Sequence, residues 1–175
     1  KMAQVAMMQL RTRFTEALGI TVPIMSGPMA GVAGGELAAA VARAGGLGFI
    51  AAGHARDLEF IDQQVKLFRA KTADLDPKPP LSIGFITFCS FPTGHVEEVL
   101  KRHRPEIVQF FAPALMINET KESNLELARR YGAKYVMAQV GCLRDIKQAI
   151  DAGFDVIIAQ GREAGGHGLR SELGG

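Results

Sequence analysis

Short apolar runs alternate with stretches of helical periodicity along most of the chain, and this alternation restricts the possible folds more than any other feature. The runs occupy residues 20–29, 47–52, 81–88, 107–111, 135–140 and 154–159. Between them, Leu37, Val41 and Ala44 share one helix face, as do Leu58, Ile61, Val65 and Phe68. Val96, Val99 and Leu100 mark a third helix, residues 122–131 a fourth, and Leu143, Ile146 and Ile150 a fifth. Asp57 is placed to cap the second of these, and Gly45 with Gly46 to end the first. Successive runs begin 19 to 34 residues apart, most of them 26 to 28, about the size of a strand-plus-helix unit. Val156, Ile157 and Ile158 show no polar alternation, as expected where both faces of a parallel strand are covered. Six such units imply either an open doubly wound sheet or most of an eight-fold barrel.

The loops choose between the two. A doubly wound dinucleotide binder calls for Gly-x-Gly-x-x-Gly after its first strand, but the glycines here stand at 27, 31, 34 and 35. A barrel instead spreads its chemistry over the C-terminal ends of several strands. Met29, His54, Thr87 with Cys89, Phe111 with Pro113, Gln139 and Gln160 all fall at such ends. The expected fold is therefore α/β, a TIM (β/α)8 barrel represented by about six strand-helix units.

Composition narrows the function. Hydrophobic residues make up 47% and charged residues 22% of the 175, which is ordinary globular usage. The 20 Lys and Arg are scattered among 18 Asp and Glu, so no nucleic-acid stripe forms. No segment reaches the roughly 18 consecutive apolar residues of a membrane span, and the N-terminus lacks the apolar core of a secretory signal. A cytoplasmic location is expected. The basic, acid-free first fifteen residues leave a mitochondrial presequence as the alternative. Cys89 and Cys142 have no metal-like spacing and read as free, buried or half-buried thiols, so neither a disulfide nor a metal site is expected.

Chemistry concentrates in residues 155–167, where a buried strand opens into a glycine-rich loop carrying Gln160, Arg162, Glu163 and His167. The Gln160 amide can donate and accept together, toward a ligand or as a loop anchor. Gly165 and Gly166 permit positive φ and close backbone approach, for a ligand or merely for a tight turn. Arg162 and Glu163 read as an ion pair or as solvated charges. His167 is the side chain here that titrates near neutrality. His54 has a place at a strand end, whereas His95 and His103 are expected on the surface.

These residues resemble the nitronate monooxygenase family, flavin mononucleotide enzymes on a TIM barrel. Three stretches carry the likeness. The first is Pro28-Met29-Ala30-Gly31 with Glu36-Leu37-Ala38-Ala39-Ala40-Val41 and Ala44-Gly45-Gly46-Leu47-Gly48. The second is Gly84-Phe85-Ile86-Thr87-Phe88. The third and most specific is Ala159-Gln160-Gly161-Arg162-Glu163-Ala164-Gly165-Gly166-His167. By this resemblance residues 1–175 are the first three quarters of an FMN-binding barrel domain, truncated before its last two strand-helix units. It implies that Pro28, Met29, Ala30, Gln160, Gly165 and Gly166 hold FMN and that His167 is the catalytic base. The substrate would be a nitronate or nitroalkane, oxidised with O2 to a carbonyl compound and nitrite. Two alternatives stand beside it: a related flavin barrel with a nicotinamide donor, such as an enoyl-acyl-carrier-protein or quinone reductase, and an inactive truncated fragment. Residues 84–87 lack the asparagine that contacts flavin in many family members.

Overall fold

The computed structural model describes residues 10–53, 57–87, 94–113, 122–166 and 168. Helix α1 (Arg13–Leu18) comes first. It is followed by α2 (Gly35–Arg43), β1 (Phe49–Ala51), α3 (Leu58–Lys71), β2 (Ser82–Ile86), α4 (His95–His103) and β3 (Ile107–Phe111). The order closes with α5 (Asn124–Arg130), β4 (Tyr135–Val140), α6 (Leu143–Ala152) and β5 (Val156–Ala159). The strands form one sheet in the order β1-β2-β3-β4-β5, every pair parallel. A doubly wound sheet must reverse its strand order at a switch point. Here each strand is laid beside its predecessor without reversal, which is the winding of a barrel.

Residues alternate between the two faces of the sheet. Ile50, Ile83, Phe85, Val108, Phe110, Val136 and Ala138 point to the helices and pack with Ala38, Ile61, Val65, Phe68, Val99, Leu100 and Leu127. Phe49, Ile107 and Met137 point the other way, into a second cluster with Leu18, Ile20 and Leu47. Thus α1 and the residues after it plug the inner face near the strands' N-terminal ends. This short helix has no long periodic stretch to announce it. Thr12 and Thr15 hold its start reciprocally, each hydroxyl accepting the other's backbone N–H, at 3.1 and 2.9 Å. Gly19, at φ 66°, ends it.

The segment expected as the first strand, residues 20–29, joins the sheet through a single parallel bridge, Met25 to Leu47. Pro23 and Pro28 have no N–H to give a ladder, and beyond the bridge the Ser26 hydroxyl accepts the Phe49 N–H at 2.9 Å in place of a backbone carbonyl. At the same end of the sheet, acidic side chains tie neighbouring strands. Glu106 accepts the Leu81 N–H at 2.9 Å and Asp155 accepts the Val136 N–H at 2.6 Å. Asp155 is itself held by Arg129, with both oxygens at 2.6 Å.

Two histidines differ from expectation. His95, the first residue of α4, is buried, and burial pushes its imidazole below the ordinary value. His103 sets Nε2 2.7 Å from Asp62. Its pKa is also lowered, because burial outweighs the pull of that carboxylate. Cys142 is half-buried at the start of α6, as expected, whereas His54 and Cys89 lie outside the described residues.

Candidate active site

Beyond the C-terminal ends of the strands lies a cleft of about 370 Å³, within the range of small-molecule sites. Its lining brings together Pro28, Met29, Ala30, Gln160, Gly165 and Gly166, which come from opposite ends of the described chain. Gly27, Phe85, Ile86, Phe111 and Gln139 complete it. His167 lies outside the described residues, so its side chain is not placed.

Each wall has a local cause. Pro28 sits over β2, because Gly84 offers no side chain there; a Cβ at position 84 would stand 2.4 and 2.5 Å from the Pro28 Cβ and Cγ. From Met29 the chain turns tightly, with the N–H groups of Val32 and Ala33 donating to the Met29 carbonyl at 3.1 and 2.8 Å. Gly31 takes φ 73° within that turn. The Ala51 N–H then donates to the Ala33 carbonyl at 2.8 Å, which fixes the turn above the end of β1. On the far side, the Gln160 N–H donates to the Val140 carbonyl at 2.9 Å and keeps Gln160 in line with β5.

The Gln160 side chain does not stand alone. Gln139 Nε2 donates to Gln160 Oε1 at 3.0 Å, and Gln109 Nε2 donates to Gln139 Oε1 at 2.5 Å. Gln109 lies in the middle of β3, Gln139 near the end of β4 and Gln160 just past the end of β5, so the three amides step toward the cleft. Gln109 was not singled out from the sequence, since it is hidden in the apolar run at 107–111. The available signal was a lone amide in a strand buried on both faces, where an unpaired polar group is costly.

Of the two loop glycines, only Gly166 takes a positive φ, 85°, and at neither would a Cβ meet another of the described residues within 4 Å. The loop is therefore open toward the cleft and not packed against the fold. Arg162 and Glu163 are exposed, and the Glu163 carboxylate folds back over Gly161. At the other rim, Thr87 Oγ donates to the carbonyls of Phe111, at 2.8 Å, and Ala112. Ala112 takes φ 50°.

Apolar walls from Pro28, Met29, Ile86 and Phe111 face amides at Gln139 and Gln160. That combination suits a flat ring system with a polar edge, and the open glycine loop leaves room for it. Compared with known families, residues 11–174 match the model of nitronate monooxygenase. The chain belongs to the nitronate monooxygenase family. Its family is one of flavin-dependent enzymes. The nitronate monooxygenase of Neurospora crassa is 30% identical over 86% of this chain and 45% of its own length. An octahydro-1H-indene-4-carboxyl-CoA dehydrogenase of Rhodococcus jostii is 29% identical over 92% of this chain and 42% of its own. Among solved structures, FabK from Thermotoga maritima superposes with a TM-score of 0.74 and 31% identity, covering 90% of this chain and 46% of that one. The chain spans about half the length of the curated relatives it matches. Among the described residues no helix is long and apolar enough to cross a membrane.

Proposed function

We propose that this chain supplies the ring-binding half of an FMN-dependent oxidoreductase that converts alkyl nitronates or nitroalkanes and O2 to a carbonyl compound and nitrite. The observation that carries this reading is the meeting of Pro28, Met29, Ala30, Gln160, Gly165 and Gly166 around one cleft in a member of the nitronate monooxygenase family. FMN, when bound, would supply the capacity to take electrons from the substrate and deliver them to O2. Pro28, Met29 and Ala30 offer a flat, largely apolar surface for its ring system. Gln160 would offer it a hydrogen-bonding amide, and the Gly165 and Gly166 backbone would leave room for it without side-chain interference. Ile86 and Phe111 exclude water from the cleft floor. His167 removes the proton α to the nitro group, a role only nitroalkanes require, because a nitronate has already lost that proton.

The test uses the expressed chain and the same chain carried on to the full length of its relatives. A flavin absorption band retained after desalting, with nitrite release from 2-nitropropane or propionate 3-nitronate, is expected of the full-length protein. His167→Ala should lose nitroalkane turnover and keep nitronate turnover. A full-length protein that is colourless and releases no nitrite would sink the proposal. A second reading is a flavin enzyme exchanging electrons with a nicotinamide; the similarity to a protein named as a carboxyl-CoA dehydrogenase supports a redox reaction on another substrate class. Rapid reduction of the bound flavin by NADH in a stopped-flow trace would select it.

A further inference from the structure

The polar wall of the cleft continues inward to a residue that the proposed reaction does not use. Gln109 is 1% exposed, and its Oε1 has no hydrogen-bond partner among the described residues. Its Nε2 starts a directed chain, donating to Gln139 Oε1 at 2.5 Å, whose own Nε2 donates to Gln160 Oε1 at 3.0 Å. A primary amide that accepts through its oxygen on one side carries its NH2 on the other. The direction of the chain therefore decides which end of Gln160 faces outward.

Reversing the chain would satisfy the Gln109 oxygen but strand its NH2 among residues such as Ile107 and Met137, which are themselves buried. Buried N–H groups without acceptors are rarer than carbonyls without donors, because a carbonyl tolerates partial satisfaction. At Gln109 the observed direction leaves an oxygen, and not an NH2, unpaired among the described residues. Gln109 thus sets the polarity of the whole series from a position that touches nothing in the cleft.

We propose that Gln109 is a positioning residue that, through Gln139, holds the Gln160 amide with its NH2 toward the cleft, so that this wall selects a ligand edge bearing hydrogen-bond acceptors. The proposal rests on the reading of the cleft as a flavin site and specifies which end of Gln160 meets the ring.

Two variants test it in the full chain, with folding checked by circular dichroism. Gln109→Met removes the donor to Gln139 without burying a new polar group. It should weaken FMN binding about three- to tenfold, the worth of one net hydrogen bond, in a fluorescence-quenching titration. Gln109→Glu has no donor when ionised and one when protonated. Its FMN affinity should therefore improve as pH falls by more than that of the wild-type protein does. The side-chain amide resonances of Gln139 and Gln160, read by NMR without FMN, should move in both variants. Folded variants with wild-type affinity, no new pH dependence and unmoved amide resonances would overturn the assignment. If the wild-type protein fails to bind FMN, the flavin reading falls, while the FMN-free resonances still decide whether Gln109 orients Gln160.

Discussion

Near the N-terminal ends of the strands the inner face of the sheet is filled by Leu18, Ile20, Leu47, Phe49 and Ile107, all buried. Toward the C-terminal ends the same face carries Gln109, Gln139 and Gln160 and opens into a cleft whose far wall is the turn at Pro28. One sheet thus holds a dry plug at one end and a hydrogen-bonding wall at the other. The contrast teaches that stability and ligand chemistry are separated along the strand direction, with the strand middle as the boundary. Substitutions at the plug should cost folding, and those at the rim should cost binding.

The largest effect should come from the plug. Phe49→Ala removes a fully buried ring between α1 and the sheet, and a loss of about 3 to 5 kcal/mol is expected in urea unfolding. A loss below about 1 kcal/mol would show that the plug does not carry the stability assigned to it. Next comes Gly84→Ala, at the boundary. The added methyl collides with the Pro28 ring, so about 1 to 3 kcal/mol of destabilisation should accompany weaker FMN binding. Unchanged FMN binding there would separate the Pro28 turn from the site.

A smaller effect concerns the outer helices and leaves both ends of the sheet alone. Burial holds His95 and His103 below the ordinary imidazole pKa in the folded chain, whereas the unfolded chain takes protons near pH 6.5. Their contribution to stability is full above that value and is lost as pH falls through the folded pKa values. The melting temperature should drop between pH 7.5 and 5, and His95→Asn should flatten the drop. The smallest effect is at the rim. Ala112 stands at φ 50°, a conformation that strains an L-residue by about 1 to 2 kcal/mol. Ala112→Gly should raise the melting temperature slightly, by the equivalent of less than about 1 kcal/mol once glycine's extra chain entropy is set against the relief.

Most of the strands and helices were legible in the sequence because their signals are local. Strands β2 to β5 lie within the expected apolar runs, and Asp57 caps α3 by accepting the Glu59 N–H at 2.9 Å. The residues around the cleft could also be named, since glycine-rich turns and amides at strand ends are visible one position at a time. What could not be read depends on contacts across the chain. The Ser26 hydroxyl replacing a ladder bond to Phe49, and Pro28 lying over Gly84, are pairings between distant residues that no periodicity encodes. Burial of His95 escaped for the same reason. Its place at the start of α4 says nothing about what covers it. Gln109 was hidden by its apolar neighbours, and its meaning comes from the amides on the two strands beyond it.

The unreversed strand order has a consequence for how the molecule is made. A nascent chain leaves the ribosome from its N-terminus, and here each emerging strand finds its partner edge in the strand completed just before it. Synthesis and docking can advance together, one unit at a time, with pairings that span only one helix and its loops. In a doubly wound sheet a later strand must return to the far side of the first, so that an early edge waits open while intervening units are translated. In this chain each new strand docks on the newest edge, and the early edge left waiting is the starting one, on the β1 side of the sheet.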